Sequence, residues 1–220
     1  MVPERDFHIF NRGTNCISIF PDDVAKNIFD SNIRTQISKF AHIYTGSVMD
    51  NHFHYVINTK SISQILKLVD DDRNDLKCFV KNISPSENNK IHRKYIASRI
   101  MSELLRRSFI SYSDYYRTNY DYIGCVFSKS YKRKEIYDKN YLRDCIIYVN
   151  RNITNHFPEM DYRKYRWSDY SKFLDINYIQ SLESFFDFES LFGNIENFIY
   201  LHARKDDFKN NEEYEFILEK

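Results

Sequence analysis

The chain has 220 residues, which fits one domain with an appendage at the usual prior of roughly 150 residues per domain. Hydrophobic residues make up 42% and charged residues 29%, enough for a sizeable core under a wet surface, and only 4 Gly and 4 Pro exclude collagenous or low-complexity classes. The net charge is only +1, but residues 1–89 carry net −1, residues 90–134 net +8 (11 Lys/Arg against 3 Asp/Glu), and residues 135–220 net −6.

No stretch approaches the roughly 18 consecutive apolar residues that a membrane helix needs. The polar start, Met1 to Asp6, lacks the apolar region of a signal peptide, so a cytoplasmic protein with no membrane partner is expected. The four cysteines (Cys16, Cys78, Cys125 and Cys145) are widely spaced, which fits reduced thiols and gives no zinc ribbon or disulfide framework. With 18 Tyr and 18 Phe, any single aromatic ring is more readily a packing residue than a special one.

In chain order, Phe7-His8-Ile9-Phe10 reads as a short strand ending at the turn signal Asn11-Arg12-Gly13. Pro21-Asp22-Asp23 opens a helix with acids in its first turn, and Val24, Ile28, Phe29, Ile33, Ile37 and Phe40 continue it as an amphipathic face. Ala41–Val48 and Phe53–Asn58 predict two adjacent antiparallel strands joined tightly through Met49-Asp50-Asn51. A short helix follows Ser61, ended by Asp70-Asp71-Asp72. Residues 70–92 then read as an exposed insertion with a small embedded element, closed by Ser84-Pro85. A long helix is expected from Tyr95, with Leu105, Phe109, Tyr112 and Tyr116 along one face and Gly124 as its stop. Val126-Phe127 begins an extended piece running to Tyr131–Lys134, and residues 140–150 form another helix. The pattern is α+β, one antiparallel sheet with helices packed on it. It covers residues 1–174, with an acidic helical extension over 175–220 expected to lie away from any nucleic-acid groove or to contact a partner.

His52-Phe53-His54 is the triplet that carries chemistry. On a strand, residues i and i+2 share a face, so both imidazoles project from one surface about 6–7 Å apart, within reach of one divalent cation. Phe53, Tyr55 and Ile57 then face the helices. Such a pair alone also suits two half-exposed polar histidines, and it needs a third ligand from elsewhere.

Five ordered blocks resemble the HUH-type single-strand DNA transposases, specifically the REP-associated tyrosine transposase group. They are Phe7-His8-Ile9-Phe10-Asn11-Arg12-Gly13, Val48 to Ile57 around His52-Phe53-His54, Ser111-Tyr112-Ser113 with Gly124-Cys125-Val126-Phe127, Tyr148-Val149-Asn150-Arg151-Asn152-Ile153, and Tyr165-Arg166-Trp167-Ser168-Asp169-Tyr170. The resemblance implies a ferredoxin-like HUH nuclease fold. It also implies a metal-dependent nuclease and strand transferase acting on hairpin-flanked single-stranded DNA through a 5′-phosphotyrosine. His52 and His54 match the metal ligands for Mg or Mn, and Tyr112 matches the nucleophile.

The family's Asn after the nucleophile is Arg117 here, which leaves Asn119, Tyr116 or another residue as third ligand. Asp50 replaces the Pro before Asn-His, Ile153 replaces the Pro of the Asn-Pro block, and Asn150 stands where the family has His. These departures also fit a weakened, domesticated hairpin-binding protein. Arg12, Arg106, Arg107, Arg117, Lys132 and Arg133 are the candidate DNA contacts, and Tyr115, Tyr120, Tyr122 and Phe127 are candidate base-stacking rings. A homodimer is expected by analogy, with the tyrosine acting on its own or the partner's site.

Overall fold

The computed structural model describes residues 1–71, 75–83 and 90–204. Four strands, β1 (Asp6–Arg12), β2 (Ala41–Val48), β3 (His52–Thr59) and β4 (Lys132–Ile136), form one antiparallel sheet in the order β2-β3-β1-β4. Against one face pack α1 (Asp23–Phe40), α2 (Ile62–Lys67) and α4 (Lys90–Asn119), with α3 (Leu76–Ile83) beside α4. Against the other pack α5 (Lys139–His156) and the shorter α6 (Ile176–Leu182), α7 (Phe188–Phe192) and α8 (Ile195–Ala203). This is the expected α+β architecture. Among the described residues no helix is long and apolar enough to cross a membrane.

The local chemistry explains most boundaries. The Asp22 side chain caps α1 by accepting from the Ala25 N–H at 2.8 Å, and Asp138 caps α5 by accepting from Tyr141 at 2.9 Å. Ser61 and Gln64 form a reciprocal capping box on α2.

Two expectations need correction. The tyrosine-bearing helix starts at Lys90 and stops at Asn119, before Gly124, because Asp121 already takes a left-handed conformation (φ 47°). Val126-Phe127 is not a strand: Phe127 makes one isolated bridge to Gly13, and the regular strand begins only at Lys132. There Lys-Arg-Lys supplies the charge that suits an exposed sheet edge. Of the 70–92 insertion, α3 is the embedded element, whereas Asp72 and the Ser84-Pro85 turn lie outside the described residues, as do residues 205–220.

The sheet separates two cores. On the α1/α4 side, Phe7, Ile9, Phe53, Tyr55 and Ile57 meet Phe20, Phe29, Leu104 and Tyr112. On the other, Val56 and Ile136 meet Cys145, Ile146, Val149, Phe173, Phe192 and Phe198. Every residue from Cys145 to Ile153 is buried, because α5 is sandwiched between the sheet and α6–α8. The acidic C-terminal stretch, as far as Arg204, thus packs into the second core, directly against the helix that covers the sheet.

The edge of β2 is closed by residues 165–170. The Val48 N–H donates to the Trp167 carbonyl at 2.9 Å, the Tyr165 hydroxyl donates to the Val48 carbonyl at 2.7 Å, and Ser47 bridges Ser168. Asp169 anchors this segment. It accepts from the Gly46 N–H at 2.8 Å and pairs with Arg34 at 2.9 Å, which also pairs with Asp30. Gly46 has no room for a Cβ, which would come within 2.4 Å of the Tyr55 ring. Burial pushes the Asp169 carboxyl up, but Arg34 and Lys172 outweigh it and hold the group below the usual carboxylate range. Asp169→Ala leaves Arg34 with one carboxylate fewer and the Gly46 N–H unpaired. It is expected to cost about 3–5 kcal/mol, read as a lowered denaturation midpoint at unchanged slope.

Candidate functional site

β1, β2 and β3 turn polar side chains toward α5. His8, Thr45, Ser47, His52 and His54 are all buried there, His54 fully and His52 at 2% exposure. The alternation of β3 puts both imidazoles on this face and Phe53, Tyr55 and Ile57 on the opposite one, as the triplet predicts. The two rings stand perpendicular, 5.2 Å between centroids.

Tyr112 lies on the other side of the sheet. It is 1% exposed among Phe20, Phe29 and Phe127, and its hydroxyl donates to the Ile19 carbonyl. Burial, reinforced by Tyr120, Tyr115, Tyr116 and Asp22, pushes its phenol well above the ordinary value, which disfavours the phenolate. Tyr112 is therefore a core residue of α4 and is not brought to the histidines. Tyr116 is on the same far side, donating to the Ser18 carbonyl at 2.8 Å. The exposed Asn119 side chain donates to the Tyr115 carbonyl at 2.8 Å, ending its helix rather than reaching the pair.

The side chains that do meet the histidines come from α5. Tyr148 lies edge-on to His54 at 5.6 Å and to His8 at 6.3 Å. One helical turn later, Asn152 places Oδ1 2.9 Å from His52 Nε2. On the final turn the exposed His156 sits edge-on to His52 at 4.5 Å. His8 supports the pair from β1, with Nε2 2.8 Å from His54 Nδ1 and its ring stacked at 5.0 Å. Sequence reading singled out none of Tyr148, Asn152, His8 and His156 as functional. The available signal was the i, i+4 spacing of Tyr148 and Asn152 inside a block that the resemblance already quoted.

Burial pushes the His52 imidazole down to about 4 and His8 to about 3, and holds His54 well below the ordinary value, so all three are neutral at pH 7. A neutral imidazole has one N–H, yet both nitrogens of His52 face carboxamide oxygens, Asn51 Oδ1 on Nδ1 and Asn152 Oδ1 on Nε2. One contact therefore opposes two lone pairs, which a cation between Nε2 and Oδ1 relieves, as does turning the carboxamide. His54 Nε2, Ser47 Oγ and Asn152 Nδ2 are also buried without hydrogen-bond partners among the described residues. Among those residues no three His, Cys, Asp or Glu side chains group to hold a metal, so the fitting donor set is two imidazoles and one amide oxygen. The amide oxygen of that set suits Mg or Mn, whereas its two imidazoles are borderline donors that favour the later first-row cations.

The candidate DNA contacts divide between the faces. Arg12 sits opposite His52 in the β1–β3 register and lowers its pKa, and Lys132 lies over the Phe10 ring at 5.7 Å on the same face. Arg133 alternates to the opposite face. Arg106 and Arg107 both pair with Glu103, and Arg117 with Asp114, on α4 beyond the sheet. These three do not surround the histidines. Of the stacking candidates, Tyr115, Tyr120, Tyr122 and Phe127 all pack against the α1/α4 core.

The underside of α5 is fixed by a polar chain across three elements. Thr45 Oγ1 donates to Asn150 Oδ1 at 2.6 Å, Asn150 Nδ2 donates to His202 Nε2 at 3.2 Å, and His202 Nδ1 donates to the Phe198 carbonyl at 2.8 Å. Burial pushes His202 down to about 3, against the Phe198 bond and with help from Arg151. A folded pKa below the unfolded value of about 6.5 gives stability that is complete above pH 6.5 and lost as pH falls toward 3, at about 1.4 kcal/mol per pH unit. Thermal melts between pH 7 and pH 4.5 should therefore fall more steeply for the natural protein than for His202→Gln, which keeps a polar group beside Asn150 but does not titrate.

Among solved structures, the chain is similar to a REP-associated tyrosine transposase bound to a REP hairpin, with a TM-score of 0.45 and 8% identity over 80% of this chain and 82% of that one. No protein-family model and no curated protein matches the sequence.

Proposed function

We propose that this protein cleaves and rejoins single-stranded DNA beside hairpins, using Tyr148 as nucleophile and a divalent cation, Mg or Mn, held by His52, His54 and Asn152. The observation that carries the reading is the meeting of two strand imidazoles, one amide oxygen and one tyrosine ring in the buried layer between β3 and α5. The cation's contribution when bound is to offset charge on the scissile phosphate and to ease attack by a weak nucleophile.

The remaining chemistry belongs to the chain. Tyr148 Oη bonds to phosphorus as the bond from phosphorus to the 3′-oxygen breaks. The phenolic proton is lost to solvent, and the departing 3′-oxygen is protonated from it. The resulting 5′-phosphotyrosine keeps the phosphodiester energy, so a 3′-hydroxyl can reverse the step without ATP. His8 holds the His54 ring through Nδ1, as outer partners of ligating imidazoles do. Arg12 and Lys132, on the same face, supply positive charge for the flanking phosphates.

With a radiolabelled hairpin-flanked single strand and Mn, Tyr148→Phe should form no covalent adduct. Tyr112→Phe should form it normally and lose only about 1 kcal/mol of stability for its missing hydrogen bond. An adduct that survives in Tyr148→Phe and vanishes in Tyr112→Phe would reverse the assignment. For the cation, calorimetric Mn titrations should show that His54→Ala and Asn152→Ala each weaken binding by more than the ~10–100-fold typical of outer-shell partners, with Asn119→Ala unchanged.

A second reading, a non-catalytic hairpin-binding protein, draws support from burial: Tyr148 is 3% exposed and His54 and Asn152 fully enclosed. It predicts salt-dependent hairpin binding with no adduct at any Mg or Mn concentration. Homodimer formation belongs to either reading.

A further inference from the structure

After Phe127 bridges Gly13, the chain bulges away from β1 before β4 begins at Lys132. The bulge is pinned by the Ser128 N–H donating to the Arg12 carbonyl at 2.9 Å and by Asn11 Nδ2 donating to the Lys129 carbonyl at 3.0 Å. Two hollows open beneath it. One lies on the histidine side, lined by Phe10, Arg12, Lys129 and Lys132. The other is a cleft of about 490 Å³ on the α4 side, and the two share Asn11, Lys129 and Ser130.

The α4 cleft has flat walls and a cationic rim. Phe109 stacks on Tyr131 at 5.8 Å and meets Phe127 edge-on at 5.1 Å. The Tyr131 hydroxyl is buried without a hydrogen-bond partner among the described residues. Arg106, Arg117 and Lys129 line the same opening. The Arg117–Asp114 pair is exposed on both sides and holds its guanidinium weakly, so turning it toward a phosphate costs little. Aromatic rings beside guanidinium groups in a hollow of this size suit a stacked base with its phosphate.

We propose that this cleft is a nucleobase pocket: the DNA strand engaged at the Tyr148 site passes Arg12, Lys132 and Lys129 over the end of β1 and seats one base against Phe109, Phe127 and Tyr131. The inference rests on the single-strand reading above and adds where the strand goes. It also gives Arg106 and Arg117 a role despite their distance from the histidine face.

The test uses the full chain and a set of single-stranded hairpin-flanked oligonucleotides, each with one abasic position, measured by fluorescence anisotropy alongside adduct formation. One position should weaken binding about tenfold. Ser113→Trp, which fills the cleft, should weaken the intact strand by a similar factor and erase the penalty of that abasic position. Lys129→Ala gives an exposed second variant should Ser113→Trp fail to fold, and it should weaken binding and reduce the salt dependence. If strands bind and the Tyr148 adduct forms while every abasic position is tolerated alike, the pocket is refuted and the catalytic reading stands. An abasic penalty without any adduct keeps the pocket and removes the nuclease. No binding of any single strand removes both.

Discussion

The structure depends on one constraint: a polar sheet face has been buried, and each imidazole, hydroxyl and amide placed there must find a partner. His8, His52, His54, Thr45 and Ser47 sit where a sheet facing a helix ordinarily carries Val or Ile. The partners arrive on α5. Asn152 turns to His52, Asn150 turns to Thr45, and Tyr148 lays its ring against His54. The register of α5 over the sheet is thereby set by hydrogen bonds as well as by apolar packing, the fixed register that the pairing of phenol and amide ligand proposed above requires.

The same constraint accounts for what remains unsatisfied. His54 Nε2, Ser47 Oγ and Asn152 Nδ2 lack hydrogen-bond partners among the described residues, and they lie on the elements that frame the histidine pair. Buried polar atoms left over in a core are costly, and their gathering beside two neutral imidazoles marks the place where an additional group gains the most. The opposite face has unpartnered atoms too, Asn32 Oδ1, Ser108 Oγ and the Tyr131 hydroxyl, but no pair of imidazoles beside them. Its aromatic packing around Phe29 and Phe53 is apolar apart from hydroxyls, of which those of Tyr112 and Tyr116 reach backbone carbonyls and that of Tyr55 reaches the Asp30 carboxylate.

Much of this was legible in the sequence. Period-two alternation placed His52 and His54 together and Phe53 opposite, and the Pro21-Asp22-Asp23 entry and Ser61 located the starts of two helices. Tyr112 lies apart from the histidine pair for a physical reason. In a chain with 18 tyrosines, the stripe of Leu105, Phe109, Tyr112 and Tyr116 is a core face, and sequence spacing does not say which side of a sheet a helix covers. That information lies in the topology: α4 and α5 pack on opposite faces. The strand after Gly124 was misread because Val126 and Phe127 carry β-propensity, whereas the pairing that builds an edge belongs to the charged Lys132–Ile136.

The nine consecutive buried residues of α5 bear on how this molecule would work. A helix gripped on both flanks cannot swing out alone to admit a strand or to visit a neighbouring molecule. Uncovering the imidazoles calls for the whole outer layer, α5 together with α6–α8, to lift as a unit and fall back. Tyr148 and Asn152, which share this helix, would then leave and return together, so the proposed pairing of phenol and amide ligand would be made or broken in one stroke.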